Sequence, residues 1–466
     1  MKSFIRFLFI LVLTNLNIFA QTNLEGFYKG SIHIMEQNID IEIEFAKNNG
    51  TILGLMNIPI QGAKKLPLNK LLINDGDISF EIMDAPRNAI FKGKIESDSI
   101  WGTFSQLGFE GNFLVHKSIK PLQETNIIVK DYVEEEVVFS NGDIKIAGTL
   151  SYIKNTKNLP AVILISGSGA QNRNSDVYGF KLFENLADHL TRSGIAVLRC
   201  DDRGVGGSSG NVQESTSEDF ADDIIAAYNF LKSVSVINPN KIGLYGHSEG
   251  GIIAPIAISK LNDVAFTVLV SAPAVTGEEI IYKQVELIMR ANKSSESEIN
   301  IALHNNKEIF EIIKNGANYD SLKVTITRQV KEEFERMPEE NRKQIKDMDA
   351  FVNALVDNNI KIYNNNWFKF FLNYNPAPTL QNIKCPVLLV FGGLDKQVFI
   401  EQNREILEKE LKNAGNTKVT SLLFENANHL FQKANSGSPN EYSKLEKKYI
   451  TGFLEQITDW ILNTVK

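Results

Sequence analysis

The chain of 466 residues has little of several residue types that mark particular classes of protein. Its 2 cysteines, Cys200 and Cys385, are too few for a disulfide framework and form no zinc-binding motif. No His-x-x-x-His or Cys-x-x-Cys spacing suggests a metal, and no cofactor is expected. The net charge is −7 and no basic stripe with interleaved aromatic residues is present, so nucleic acid is not an expected partner.

Beyond the amino terminus the sequence also lacks an apolar run long enough to span a bilayer. At the terminus, Lys2 and Arg6 precede an apolar run over residues 7–13, and Ala20 offers a small residue at a cleavage point. This pattern is typical of a secretory signal peptide over residues 1–20. We therefore expect export to the periplasm or the outside of a bacterial cell, with a mature chain that starts near Gln21 and has no membrane span.

The length suggests two or three domains, and residues 21–118 have the pattern of an all-β domain. Apolar and polar residues alternate over residues 31–34, 39–45, 78–82 and 89–95, with turn signals between them. Short strands at this spacing predict a small barrel or sandwich. Three stretches, at residues 26–30, 54–62 and 101–104, resemble the lipocalin-like amino-terminal module of some bacterial exported hydrolases.

A linker is expected over residues 119–135, and from residue 136 onward the pattern becomes α/β. Apolar runs at residues 161–165, 195–199, 265–270, 386–391 and 418–424 alternate with helical segments, the last at 445–462. This alternation predicts a doubly wound, mainly parallel sheet. A charged, helical insertion at about 275–382 predicts a cap. Its aromatic run at 362–374 either packs the insertion onto the sheet or lines an acyl pocket.

The most informative stretch is Gly246-His247-Ser248-Glu249-Gly250, a G-x-S-x-G pentapeptide. A short apolar run precedes it and a small, apolar, helical run follows it, which is the strand–turn–helix context of a nucleophile elbow. Such a turn predicts a strained backbone at Ser248 and glycines where side chains would clash. The alternative is a glycine-rich turn with a surface serine. The side chain of His247 is expected to point away.

Two further residues complete the chain order nucleophile, acid, histidine that a doubly wound hydrolase requires. Asp395 follows one predicted strand and His429 follows the last one. We expect His429 to act as the base for Ser248 and Asp395 to orient it. The alternatives are a helix cap for Asp395 and a surface loop residue for His429.

An oxyanion hole needs two backbone donors. One is expected from the N–H of Glu249, the residue after the nucleophile. The other is expected from the loop after the strand at 161–165, from Ser168 or Gly167, between which the sequence does not distinguish.

The chain resembles the α/β-hydrolases, and among them bacterial carboxylesterases with an additional amino-terminal domain. The resemblance covers about residues 130–466 and is carried by residues 165–173, by the Asp201-Asp202-Arg203-Gly204 stretch and by the elbow. It implies hydrolysis of carboxylic esters through an acyl-enzyme on Ser248, and we expect acyl chains of short to medium length. The family often has His-Gly where this chain has Ser166-Gly167.

Two other functions stay open at this point. A serine aminopeptidase or oligopeptidase would use the same fold and the same three residues, with Glu249 or residues of the cap holding the substrate amine. A more remote alternative is an envelope-binding protein without catalysis, in which the β domain carries the function.

Overall fold

The computed structural model describes residues 24–34, 37–48, 50–59, 63–83, 88–106, 109–120, 130–316, 319–345 and 347–466. The predicted signal peptide at residues 1–20 lies outside the described residues. Residues 121–129 of the predicted linker also lie outside them.

The amino-terminal domain is a closed barrel of eight strands, each antiparallel to the next, in which the first strand also pairs with the last. Of the predicted alternatives, barrel or sandwich, the barrel is formed. The strands are β1 Gly26–Ile34, β2 Gln37–Asn48, β3 Thr51–Ile58, β4 Ala63–Asn74, β5 Asp77–Ile82, β6 Ala89–Glu96, β7 Ser99–Gln106 and β8 Phe109–Ser118.

The interior of the barrel is filled by the inward-facing residues of this alternating pattern. Phe80 and Phe91 stack with ring centroids 4.7 Å apart, and Phe113 meets both rings edge-on. These aromatic side chains are almost fully buried and, with the aliphatic residues around them, form a core separate from that of the second domain. The barrel therefore has its own source of stability.

The second domain is built on an eight-stranded sheet. Its strands are β9 Tyr132–Asn141, β10 Ile144–Ile153, β11 Leu159–Ile165, β14 Ala196–Cys200, β15 Ile237–His247, β16 Thr267–Val270, β17 Val387–Gly392 and β18 Val419–Phe424. They lie in the order β18-β17-β16-β15-β11-β14-β10-β9. The strands from β11 to β18 in this sheet are parallel, whereas β9 and β10 form an antiparallel hairpin at one edge. A small separate hairpin consists of β12 Asp176–Val177 and β13 Phe180–Lys181.

Helices cover both faces of this sheet, which explains why its central strands are apolar on both sides. One core lies under α2 Ser217–Ser233, α3 Gly250–Lys260 and α11 Ile400–Asn413. The other lies under α1 Leu182–Arg192 and α12 Phe453–Thr464. Along β11, Ile163 and Ile165 point into the first core and Val162 and Leu164 into the second. The predicted fold class, a doubly wound α/β-hydrolase sheet after an all-β barrel, is confirmed.

A helical cap is inserted between β16 and β17. Its helices are α4 Gly277–Ala291, α5 Glu296–Lys314, α6 Tyr319–Arg336, α7 Glu339–Gln344, α8 Met348–Tyr363, α9 Asn366–Asn373 and α10 Ala377–Leu380. Capping boxes at Thr276 and Ser295 begin α4 and α5, since each hydroxyl accepts a backbone N–H of the first turn. The cap has its own apolar cluster around Phe310, Phe351 and Phe368.

Two sequence-based boundaries are wrong. The strand β9 begins at Tyr132, so residues 132–135 of the predicted linker belong to the sheet, and with them the acidic run Glu134-Glu135-Glu136. There, Glu134 forms an ion pair with Arg199 of β14 at 2.9 Å.

The closing helix begins at Phe453 and not at residue 445. The residues just before it bond to other parts of the domain instead of forming a helical turn. The N–H of Ile450 donates to the Phe431 carbonyl at 2.7 Å, and the Tyr449 hydroxyl donates to the Leu182 carbonyl at 2.9 Å. Gly452, with φ of 85°, then turns the chain into the helix.

The barrel contacts the second domain at two described places. Lys64 on β4 pairs with Asp176 on β12 at 2.6 Å. The ring of Phe109 on β8 meets Phe351 of α8 edge-on at 5.0 Å, and the backbones of Phe109 and Ile345 form an isolated bridge. None of the helices within the described residues combines the length and the apolar character that a membrane span needs.

Candidate active site

The G-x-S-x-G stretch forms a sharp turn between β15 and α3. Ser248 has a φ of 57°, the left-handed conformation that a non-glycine residue rarely adopts. The glycines are required by close approach: a methyl group at Gly246 would lie 2.1 Å from the Gly250 carbonyl oxygen, and one at Gly251 would lie 2.3 Å from Ala272 Cβ. The strain predicted for an elbow is therefore present at the serine itself.

His429 and Asp395 meet in the loops that follow β18 and β17. His429 Nδ1 lies 2.8 Å from Asp395 Oδ2, and both side chains are buried, with 5% and 1% of their side-chain surface exposed. The other carboxylate oxygen of Asp395 accepts the N–H groups of Gln397 and Val398 at 2.8 and 2.9 Å. Asp395 does not cap α11, which begins at Ile400 without a side-chain cap.

The protonation of this pair follows from its surroundings. Burial favours the neutral form of Asp395, but the proximity of His429 and the donated N–H groups outweigh it and lower the pKa of the carboxyl. An ionised carboxylate only accepts hydrogen bonds, so the His429 Nδ1 carries the proton. The Nε2 of His429 is then left as the basic nitrogen.

The structure brings the predicted site residues to one cavity. Ser248, His429, Glu249, Gly167 and Ser168 all line it, and Asp395 lies directly behind His429. Gly167 stands against the nucleophile, because a methyl group at this position would lie 3.0 Å from Ser248 Cβ and 3.5 Å from its Oγ. The N–H of Glu249 stands at the amino end of α3, where helix N–H groups lack intrahelical acceptors.

The cavity has a volume of about 860 Å³ and is mainly apolar. Its walls come largely from the cap. The apolar and aromatic residues include Ile280, Ile281, Val285, Ile288, Met289, Phe310, Ile362, Tyr363, Trp367, Phe368 and Phe371. The aromatic run therefore serves both purposes considered from the sequence, since Phe371 also packs into the core of the sheet.

Glu249 is the single acidic side chain among the described residues that line the cavity. It is 2% exposed, and its Oε1 accepts the Ser217 hydroxyl and the Trp367 indole N–H, each at 2.7 Å. Burial raises the pKa of this carboxyl despite these donors.

Sequence reasoning missed the role of His247. Its Nε2 lies 2.8 Å from the backbone carbonyl of His429, and the two rings are 4.8 Å apart. A carbonyl only accepts, so the His247 Nε2 donates. Burial, with the nearby His429, lowers the pKa of His247 to about 3, so this ring stays neutral and supports the loop that carries His429.

The Asp-Asp-Arg-Gly stretch supports the loop that carries Gly167. Asp202 accepts the Ser166 hydroxyl and the Gln171 N–H, each at 2.8 Å. Arg203 pairs with Asp223 of α2 at 2.6 Å. Ser166, at the position where the family resemblance led to an expectation of histidine, therefore has a partner in Asp202. Within the described residues, no cluster of His, Cys, Asp or Glu side chains is arranged as a metal site.

Comparisons with known proteins agree with this geometry. Two family models match: serine aminopeptidase S33 over residues 179–364, and the prolyl oligopeptidase family over residues 340–456. The curated esterase EstD of Thermotoga maritima is 25% identical over 350 residues, 74% of this chain and 72% of EstD. An uncharacterised 31.7 kDa protein of Escherichia coli is 26% identical over 230 residues, 48% of this chain and 70% of that protein.

Among solved structures, the Pyrococcus furiosus esterase Pf2001 is similar, with 16% identity and a TM-score of 0.43 over 74% of this chain and 95% of that one.

The strand order, the strained serine at the elbow, the Asp–His pair and the two family matches lead to one assignment. The chain is a serine hydrolase with the α/β-hydrolase fold.

Proposed function

We propose that the protein is a carboxylesterase that hydrolyses small-molecule esters of short to medium acyl chains. The Ser248 Oγ attacks the ester carbonyl carbon while His429 Nε2 takes its proton. Collapse of the tetrahedral intermediate expels the alcohol, which receives that proton, and leaves an acyl-enzyme. Water, deprotonated by His429, attacks the acyl-enzyme and releases the acid, and the proton returns to Ser248. Asp395 holds the His429 tautomer.

The oxyanion of each intermediate would lie between two backbone donors. We assign one to Glu249 at the amino end of α3 and the other to the loop of Gly167 and Ser168. Gly167 packs closely against the serine, since a methyl group added to it would lie 3.5 Å from the Ser248 Oγ.

The observation that carries the proposal is the chemistry of the cavity wall. An aminopeptidase needs an accessible carboxylate for the substrate amine, and the single acidic side chain lining the described cavity, Glu249, is buried and already accepts two donors at one oxygen. The remaining wall is mainly apolar, which suits a neutral acyl group. The volume of about 860 Å³ leaves room for chains beyond acetate.

The named relative supports the same choice, because EstD is an esterase. The peptidase alternative retains support from the names of the two family models, serine aminopeptidase and prolyl oligopeptidase. It is therefore an outcome of the test and not a separate proposal.

The test is turnover of p-nitrophenyl esters from acetate to palmitate by the chain without residues 1–20. We expect an optimum at short to medium length, and loss of activity in Ser248→Ala by at least about 10³-fold. Aminoacyl p-nitroanilides are assayed in parallel. Turnover of the anilides without turnover of the esters would replace the esterase by a peptidase.

We also propose export. The support is the sequence of the amino terminus, in which Lys2 and Arg6 precede an apolar run. This segment lies outside the residues that the structure describes. Fractionation of bacterial cells carrying the full chain is expected to place the protein outside the cytoplasm, shortened by about 20 residues. Deletion of residues 2–20 should return it to the cytoplasm, and an unshortened cytoplasmic full chain would refute the proposal.

A further inference from the structure

We propose that the Glu249 side chain is a positioning element that ties the cap to the oxyanion hole. It would hold Trp367 of the cap against the elbow and so fix the backbone N–H of the same residue, Glu249, for catalysis. The inference rests on the proposed function, because it concerns the same serine and the same oxyanion.

The first step is the geometry of the carboxyl. A single oxygen, Oε1, receives donors from two different elements at 2.7 Å each: Ser217 from the start of α2, and Trp367 from α9 of the cap. Ser217 is fully buried. A side-chain hydrogen bond from Ser168, in the loop opposite the nucleophile, joins these two donors in partly offsetting the rise that burial causes in the pKa of the Glu249 carboxyl. The carboxyl thus contacts the cap, the start of α2 and the loop of Gly167 and Ser168.

The second step is the attachment of α9. Beside the Trp367 bond, the Asn366 side-chain amide donates to the Glu214 carbonyl at 3.1 Å. The Trp367 ring stacks on Phe371 at 5.2 Å with planes 11° apart, and both rings line the cavity. The same indole therefore forms the wall of the acyl cavity and bonds to the elbow.

The third step is the consequence for catalysis. A backbone N–H stabilises an oxyanion only when its direction is fixed before the reaction, because reorganisation during the reaction has a cost. Glu249 is one residue from the strained Ser248, so movement of its side chain moves this N–H. The bonds from Trp367 and Ser217 do not involve the substrate. Their loss should therefore lower kcat more than it raises KM.

The experiment is a double-mutant cycle on Glu249 and Trp367 with p-nitrophenyl butyrate as substrate. Trp367→Phe keeps the stacked ring and removes the N–H donor. We expect kcat to fall about tenfold with KM within about twofold, less than the 10²–10³ lost when an oxyanion donor is removed outright. The kcat of Glu249→Ala should fall by at least as much, and the kcat of the double variant should be no lower than that of Glu249→Ala alone.

Conservative and contrasting variants separate positioning from general packing. Glu249→Gln keeps an acceptor oxygen for Trp367 and Ser217, so it should retain most of kcat. Val285→Ala removes apolar wall on α4 and should instead raise KM, because it removes substrate contact. Thermal melts of each variant identify any that fail to fold, which are replaced in the cycle by Ser217→Ala.

Two results would overturn the inference: an effect of Trp367→Phe on KM alone, or additive losses in the double variant. A second readout keeps it independent of the esterase proposal. The rate at which a fluorophosphonate labels Ser248 also depends on the oxyanion hole and needs no ester turnover. If the wild-type chain labels but hydrolyses no ester, the proposed function fails, whereas equal labelling of wild type and Trp367→Phe rejects the positioning role.

Discussion

Asp202 lies behind the loop of Gly167 and Ser168, and its carboxyl should make the stability of the fold depend on pH. Burial, together with the negative charges of Glu249 and Asp201, raises the pKa of Asp202 to about 7, against hydrogen bonds from Gln171 and Ser166 that lower it. In the unfolded chain the same carboxyl titrates near 4. Between these two values the folded protein holds a proton that the unfolded chain releases.

The sign of the pH dependence follows from this proton. Where the folded state binds more protons, the free energy of unfolding falls as pH rises. We expect the contribution of Asp202 to be lost between about pH 4 and pH 7, by at most about 4 kcal/mol. Denaturant melts at pH 5 and pH 8 measure it. Asp202→Asn should reduce the difference in the free energy of unfolding between pH 5 and pH 8. The control Asp75→Asn, in an exposed turn of the barrel, should leave that difference unchanged. The same difference in wild type and Asp202→Asn would contradict the expectation.

At the residue scale, sequence reasoning predicted Ser248, Asp395 and His429 as catalytic residues, because motif and chain order constrain residues that follow strands. The structure places His429 beside Asp395 and in one cavity with Ser248. It missed the His247 bond to the His429 carbonyl and the Trp367 bond to Glu249. Both bonds join residues more than 100 positions apart. Their only local signals were a histidine beside the nucleophile and a tryptophan in an aromatic run.

At the scale of elements, the elbow depends on how closely β15 approaches α3. Gly246→Ala would place a methyl group 2.1 Å from the Gly250 carbonyl oxygen, which is backbone and cannot move aside. We expect loss of activity and a destabilisation of at least about 1–3 kcal/mol, measured by thermal melts and ester turnover. The residue itself has an ordinary negative φ, so the cost is one of space.

A matched control separates space from backbone conformation. Gly142, in the turn between β9 and β10, has a φ of 56° and nothing within 4 Å of an added methyl group. Gly142→Ala should cost about 1–2 kcal/mol for the left-handed conformation and keep full activity. If Gly246→Ala destabilised the protein no more than this control and kept full activity, the close approach of β15 to α3 at the elbow would be contradicted.

At the scale of the whole molecule, the barrel and the hydrolase domain have separate cores and meet through few contacts. Phe109 is the aromatic contact between them, edge-on to Phe351 of the cap. Phe109→Ala should destabilise the joined molecule by about 1–2 kcal/mol through lost burial and the lost ring pair. Thermal melts measure this, with Leu72→Ala, which is 67% exposed on the barrel surface, as the control. Equal melts for both variants would show that the Phe109 contact contributes nothing.

The sequence by itself determined the order of domains and the type of most elements, and it predicted Ser248, Asp395 and His429 as the catalytic residues. Period-two alternation, apolar strand runs and glycine spacing are local signals. Each specifies the backbone geometry or the buried face of a short segment, so it can be recognised from neighbouring residues alone. The beginning of α12 and the place of the acidic run in β9 were decided only by tertiary contacts, through Tyr449, Ile450 and Arg199.

Tertiary structure alone also decided the shape of the cavity. Which side chains of the cap face Ser248 depends on how α4 and α9 pack on the hydrolase domain. No local sequence pattern specifies the angle at which these helices pack. The bond from Trp367 to Glu249 exists only because that docking brings an indole donor to a buried carboxyl. A buried carboxyl requires such donors, and which residues supply them is a property of the folded molecule.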